Sequence, residues 1–107
     1  MEKIFNFIII NTDNTFETIS LSEKDLFNPE DYIDVFYKHK KLDAFDIHII
    51  YDGLLQDEEN KLMSLVFNET GFHGKCILVH YNGLDETYSG LTLDELEYFK
   101  TLLKNRL

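Results

Sequence analysis

Two short segments of the chain repeat the same residue types and suggest a ligand site. The turn Tyr51-Asp52-Gly53 ends one apolar stretch, and Tyr81-Asn82-Gly83 ends another thirty residues later. If the two stretches are parallel neighbouring strands, their carboxyl ends meet at the edge of the sheet where α/β folds bind ligands. The ligand-binding residues would then be Tyr51, Asp52, Tyr81 and Asn82. The alternative is that Asp-Gly and Asn-Gly are ordinary strand-ending turns, and an antiparallel pairing would separate the four residues.

The histidines and the single cysteine match no metal or nucleophile motif. His39, His48, His73 and His80 lack the close spacing of ligands on one helix that zinc motifs show. Strand pairing could bring His48 and His80 together, with Cys76 along the same strand. A catalytic Cys–His pair needs an exposed thiol, whereas Cys76 begins an apolar run and is expected to be buried and inert. The sequence predicts no metal, no cofactor and no catalytic residue.

The charge of the chain limits its choice of partners. Twenty acidic and ten basic residues give a formal charge of −10, beyond the magnitude of about 2–8 that a small domain needs for solubility. Arg106 is the only arginine, the side chain that most often reads phosphate, so direct binding of DNA or RNA is disfavoured. The basic cluster at residues 38–41 is expected to end a helix, where it interacts favourably with the helix dipole.

Acidic residues are dense between Asp85 and Glu97, and no lysine or arginine interrupts them. Tyrosines lie within and beside this stretch. Such a surface suits a basic protein, because opposite potentials speed association and aromatic side chains anchor interfaces. The predicted partner-binding residues are Asp85, Glu86, Tyr88, Asp94, Glu95 and Glu97. For Tyr88 the rival interpretation is packing over the final helix.

These features predict a non-enzymatic inhibitor of a basic protein. The favoured setting is an immunity or antitoxin protein that neutralises a toxin nuclease, because basic proteins that need blocking are mostly enzymes of nucleic acids. Two alternatives stay open: a phage-type inhibitor that imitates nucleic acid, and a small-molecule binding domain built on the two Tyr-Asx-Gly turns. The acidity could also serve solubility alone.

The residues must be positioned by one small domain. A length of 107 residues is typical of a single domain, no linker-like tract divides the chain, and we expect one domain over residues 1–107. The lone cysteine fits a reducing compartment, and no apolar run approaches the roughly 20 residues of a membrane span. A cytoplasmic location is therefore expected.

Hydrophobic periodicity and capping residues predict seven elements in the order β-β-α-β-α-β-α. Strands are predicted at residues 3–11, 15–21, 44–51 and 75–81. Helices are predicted from Asn28 to the basic cluster, over residues 56–70, and from the capping box Thr92–Glu95 onward. The order predicts an α/β fold (or α+β), with a small mixed sheet of about four strands, three helices and parallel crossovers. A strand at residues 62–68 is the rival to the second helix and would make the sheet antiparallel.

Overall fold

The computed structural model describes residues 4–22, 27–33, 37–42, 47–52, 58–67 and 71–105. The strands are β1 (Ile4–Ile10), β2 (Phe16–Ser22), β3 (Tyr37–Leu42), β4 (Ile47–Asp52), β5 (Cys76–Asn82) and β6 (Thr87–Ser89). The α-helices are α1 (Lys61–Phe67) and α2 (Leu93–Lys104), and one 3-10 turn spans Pro29–Asp31. Neither α-helix of the described ranges has the length and apolar character to cross a membrane.

The fold is α+β, with a six-stranded sheet whose described pairings are all antiparallel. The strand order is β2-β1-β5-β4-β3, and β6 pairs with the last residues of β5. The predicted parallel crossover between β4 and β5 is wrong. β5 is antiparallel to both of its long neighbours, β1 and β4, so the chain between β4 and β5 returns without a parallel crossover.

Residues 37–42 form an edge strand, so the predicted helix from Asn28 to the basic cluster is wrong. Pro29 starts a single 3-10 turn, in which its carbonyl accepts the N–H groups of both Tyr32 and Ile33. The chain then pairs with β4, Lys40 standing opposite Ile49. Exposed lysines suit an edge strand because they discourage pairing with another chain. Residues 34–36, in the middle of the predicted helix, lie outside the described residues.

The other predicted elements are present, but β6 was not predicted, so the described structure has six strands and two α-helices where about four strands and three helices were expected. β1 and β2 form the expected hairpin. Residues 61–67 form helix α1, so the alternative prediction of a strand at residues 62–68 is wrong. Helix α2 begins at the predicted capping box. The strand predicted over residues 44–51 is present from Ile47 onward. The start of that strand lies outside the described residues, as do residues 56–57 and 68–70 of the predicted second helix. Residues 58–60 are described and are not helical, so this helix begins later than predicted, at Lys61.

Both faces of the sheet are buried. The helix face lies under α1 and α2, and its buried strand residues are Ile8, Ile10, Leu42, Ile47, Ile49, Cys76 and Leu78. The opposite face, here called the aromatic face, buries Phe7, Ile9, Ile33, Ile50, Ile77 and Val79 and carries partly buried aromatic rings. Successive strand residues point to opposite faces, so a continuous apolar run supplies both cores.

Asn60 is a fully buried polar residue that joins three parts of the helix face. Its amide nitrogen donates to the carbonyls of Ile10 and Gly74, at 2.9 Å each, and its side-chain oxygen accepts the N–H of Met63 at 3.2 Å. Asn60 therefore caps α1 and ties its start to the end of β1 and to the segment before β5.

The connection from β6 to α2 passes very close to β1. The N–H of Leu91 donates to the carbonyl of Asn6 at 2.7 Å. A Cβ added to Gly90 would lie 2.5 Å from the backbone nitrogen of Asn6 and 2.8 Å from the Cα of Phe5. Only glycine fits here, because backbone atoms cannot move aside as a flexible side chain can.

Gly90→Ala is expected to lower the free energy of unfolding by about 1–3 kcal/mol, the range seen for overpacked sites. Gly83→Ala is the matched control, since its added Cβ would meet only a ring carbon of Tyr81 at 3.8 Å. The control should change stability by less than about 0.5 kcal/mol. Urea unfolding measures both effects, and equal destabilisation by the two changes would contradict the close approach of Gly90 to β1.

Candidate functional site

The two Tyr-Asx-Gly turns do not meet, so the ligand site expected at Tyr51, Asp52, Tyr81 and Asn82 is wrong. β4 and β5 are antiparallel, with Ile50 opposite Ile77, and this places Tyr51 and Tyr81 at opposite ends of the pair. Tyr51 contacts Phe72 on the helix face, with ring centres 5.0 Å apart, whereas Tyr81 contacts Tyr88 on the aromatic face. Asp52 is fully buried. Gly53 lies outside the described residues.

Cys76 and the histidines of β4 and β5 do not form a reactive group. Cys76 is fully buried, and burial raises its pKa to about 12, so the thiol is neutral near pH 7. His48 stands opposite Val79, which puts His80 on the other face of the sheet. Among the described residues, no group of three or more His, Cys, Asp or Glu is arranged to hold a metal ion.

The turn between β5 and β6 holds two of the predicted partner-binding acids in a defined conformation. The Oδ1 of Asn82 accepts the N–H of Leu84 at 2.9 Å, and the Oδ1 of Asp85 accepts the hydroxyl of Thr87 at 2.6 Å. Glu86 follows with a positive φ of 56°, a conformation rarely adopted by residues other than glycine. The turn thus presents Leu84, which is 98% exposed, beside two exposed carboxylates.

Glu95, another predicted partner-binding residue, is engaged in a capping interaction. Its Oε1 accepts the N–H of Thr92 at 2.8 Å and lies 2.6 Å from Nε2 of His80. A carboxylate only accepts hydrogen bonds, so Nε2 of His80 carries the proton in this contact. Burial alone would raise the pKa of Glu95, but the bonds from Thr92 and His80 outweigh it and lower that pKa. Glu95 is therefore a positioning residue for the start of α2.

Asp94, Glu97 and Tyr98 lie on the exposed side of α2. Tyr98 is 53% exposed, and the Glu97 side chain is 73% exposed, with an oxygen 3.8 Å from Nζ of Lys100. An open groove of about 490 Å³ runs along this side of the helix. Its lining residues are Asp94, Glu97, Tyr98, Thr101, Leu102 and Asn105. The groove therefore combines an aromatic ring with two carboxylates.

Tyr88 lies on the aromatic face, away from α2. Its ring centre is 5.2 Å from that of Tyr81 and 5.9 Å from that of Phe27. Burial raises the pKa of Tyr88, and the phenols of Tyr37 and Tyr81 add to the shift. The interpretation that Tyr88 packs over the final helix is wrong, because the sheet stands between them. The aromatic residue that lies beside Asp94 and Glu97 is Tyr98, and not Tyr88 as predicted.

The contact between His80 and Glu95 brings the start of α2 to the β5–β6 hairpin. His80 pairs with Ser89, and the turn follows about 10 Å further along the strands, three residues at roughly 3.3 Å each. The exposed acids of the turn and of α2 therefore lie on the two segments that this contact joins. We call Asp85, Glu86, Asp94 and Glu97 the acidic region.

One close pair of histidines was missed by the sequence analysis. His39 of β3 lies beside His48 of β4, with ring centres 5.4 Å apart, and beside Tyr81 at 4.4 Å. Because residues 38–41 were predicted to end a helix, the sequence offered no reason to place His39 on a strand beside His48. Residues 38–41 are all polar and show no alternation with apolar residues, so the sequence held no periodicity signal for this strand.

Comparison with known proteins gives no relative for this arrangement. The chain matches no protein-family model, no curated protein and no solved structure. Its function is inferred from the geometry of the side chains described above.

Glu95→Gln tests the electrostatic part of the capping interaction. Because the pKa of Glu95 is lowered on folding, its ionised form contributes stability in full above the unfolded-state pKa. That contribution is lost as the pH falls through the lower folded-state value. We expect Glu95→Gln to cost about 1 kcal/mol near pH 7, a typical capping energy, and to cost nothing once the wild-type carboxyl is protonated.

The measurement is thermal or urea unfolding of both proteins over a series of acidic to neutral pH values. Glu97→Gln removes one carboxylate from the same helix without touching the cap and should change stability less at neutral pH. A stability difference between wild type and Glu95→Gln that is the same at every pH would contradict the role assigned to the ionised carboxylate.

Proposed function

We propose that this protein is a non-enzymatic binding protein whose acidic region captures a basic protein. Three of the five large apolar side chains that are exposed in the described structure fall within residues 84–98: Leu84, Leu93 and Tyr98. The acidic region lies in the same stretch, which contains no lysine or arginine. A need for solubility explains exposed acids, but it does not explain exposed apolar side chains among them. This coincidence is the main support for a protein interface.

The chemistry of the surface defines the partner. Leu84 and Tyr98 would enter apolar pockets, because the interior of an interface is depleted of charge and enriched in aromatic groups. Asp85, Glu86 and Glu97 would meet lysine or arginine side chains at the rim of those pockets. Rim charges mainly increase the rate of association. The expected partner therefore carries small apolar pockets surrounded by positive charge.

An immunity or antitoxin role is the setting that this chemistry favours. Nucleases present lysine and arginine to bind the phosphates of their substrates, and a rigid acidic turn can occupy the same positive surface. The neutral, buried thiol of Cys76 also supports binding over covalent catalysis. The inhibitor would act by covering the partner's substrate site or a neighbouring surface.

The double change Glu86→Lys with Glu97→Lys tests this proposal. Capture from a lysate of the native host at low salt should recover a basic protein with the wild-type chain and lose it with the double variant. The recovered protein is then purified and its association rate measured over a range of salt concentrations. The wild-type rate should fall steeply with salt, because exposed charges are screened beyond about 8 Å at physiological ionic strength. Co-expression should abolish the partner's nuclease activity or toxicity.

Glu17→Lys with Glu58→Lys is the matched control. Both residues are exposed acids outside the acidic region, and the pair changes the formal charge by the same amount. The control should keep the partner and nearly all of the wild-type affinity. Equal loss of binding in both double variants would show that binding depends on net charge and not on the acidic region, which would contradict the proposal. Recovery of only acidic or neutral proteins by the wild type would also contradict it.

A further inference from the structure

His39 and His48 occupy one exposed part of the aromatic face on neighbouring strands. His39 stands opposite Ile50, and His48 stands opposite Lys41, so the two histidines are diagonal neighbours on the same face. Their ring centres are 5.4 Å apart and their planes are inclined at 53°. His39 is exposed and His48 is half-buried, so solvent and ions have access to the pair from the β3 side.

The separation of the rings matches that of two imidazoles bound to one ion. A zinc-type ion lies about 2.0 Å from a ligating nitrogen and about 3.2 Å from the ring centre, so two rings on a tetrahedral ion have centres about 5.2 Å apart. The inclination of the planes prevents face-to-face stacking.

The surroundings of the pair are consistent with a cation site. Tyr81 lies 4.4 Å from His39 and 5.2 Å from His48 between ring centres, and it supplies an aromatic wall that fixes both imidazoles. Lys41 is the basic residue opposite His48, and it is exposed. The two lysines beside His39, Lys38 and Lys40, point to the opposite face of the sheet, and the net charge of −10 attracts cations to the molecule as a whole.

We infer that His39 and His48 form a binding site for a divalent transition-metal ion of the Zn²⁺, Ni²⁺ and Cu²⁺ class. Imidazole nitrogen favours these ions over Mg²⁺ and Ca²⁺, which prefer oxygen ligands. The described residues add no third His, Cys, Asp or Glu to the pair. Water would complete the coordination, which makes this an open site able to accept an additional ligand. The site is distinct from the acidic region and does not depend on its function.

Calorimetric titration of untagged, EDTA-treated protein with Ni²⁺ tests the site. Wild type should bind about one ion, and His39→Gln should weaken the affinity about tenfold or more, because one of two protein ligands is lost. His73→Gln is the matched control, since His73 lies outside the pair, and it should bind like wild type. Mg²⁺ should show no binding at the same concentrations.

Proton NMR of the wild-type protein provides a second test that does not depend on a half-buried variant folding. Small amounts of Cu²⁺ should broaden the imidazole signals of His39 and His48 before those of His73 and His80. The inference is overturned if Ni²⁺ binds His39→Gln as tightly as wild type, if wild type binds no Ni²⁺, or if Cu²⁺ first broadens His73 or His80.

Discussion

β5 organises this molecule, because it is hydrogen-bonded on both sides and buried on both faces. It pairs with β1 and β4 along its first half and with β6 at its end. Its residues Cys76 to Val79 are all fully buried. An apolar strand of this kind requires cover on two faces, since each exposed face would cost roughly 25 cal/mol for every Å² of apolar surface left in water. The helices and the aromatic segments are arranged to supply that cover.

The same constraint fixes the position of the acidic region. β5 continues past its pairing with β1, and β6 takes up the free edge at that point. The chain must then cross β1 closely, which Gly90 permits, before α2 returns to cover the helix face. Phe99 and Leu103 bury the inner side of α2. The outer side, with Glu97 and Tyr98, is left toward solvent.

The parts of the fold that were predicted from sequence are those set by local signals. The capping box at Thr92 and Glu95 defines the start of α2 by itself, and the apolar runs identify β1 and β5. β3 could not be predicted in this way, since Pro29 and the basic cluster resemble helix ends while cross-strand pairing with β4 decides the outcome. The direction of β5 relative to β4 depends on tertiary packing, which periodicity does not report.

The candidate site shows the same division. The acids at Asp85, Glu86, Asp94 and Glu97 were identified from composition, and in the structure they lie in the turn between β5 and β6 and on the first two turns of α2. Composition could not separate Glu95, which caps a helix, from its exposed neighbours. Composition also led to the prediction of Tyr88, and not Tyr98, as the aromatic partner of these acids. It could not show that Tyr88 lies on the aromatic face of the sheet and Tyr98 on the solvent side of α2.

Native-state hydrogen exchange tests the central position of β5 most directly. The amides of Ile77, Leu78 and Val79 should be among the slowest to exchange and should open only with global unfolding, because the strand is covered on both faces and both edges. Amides of the edge strand β2 should exchange faster through local opening. Exchange of the β5 amides at the rate of those in β2 would contradict the account.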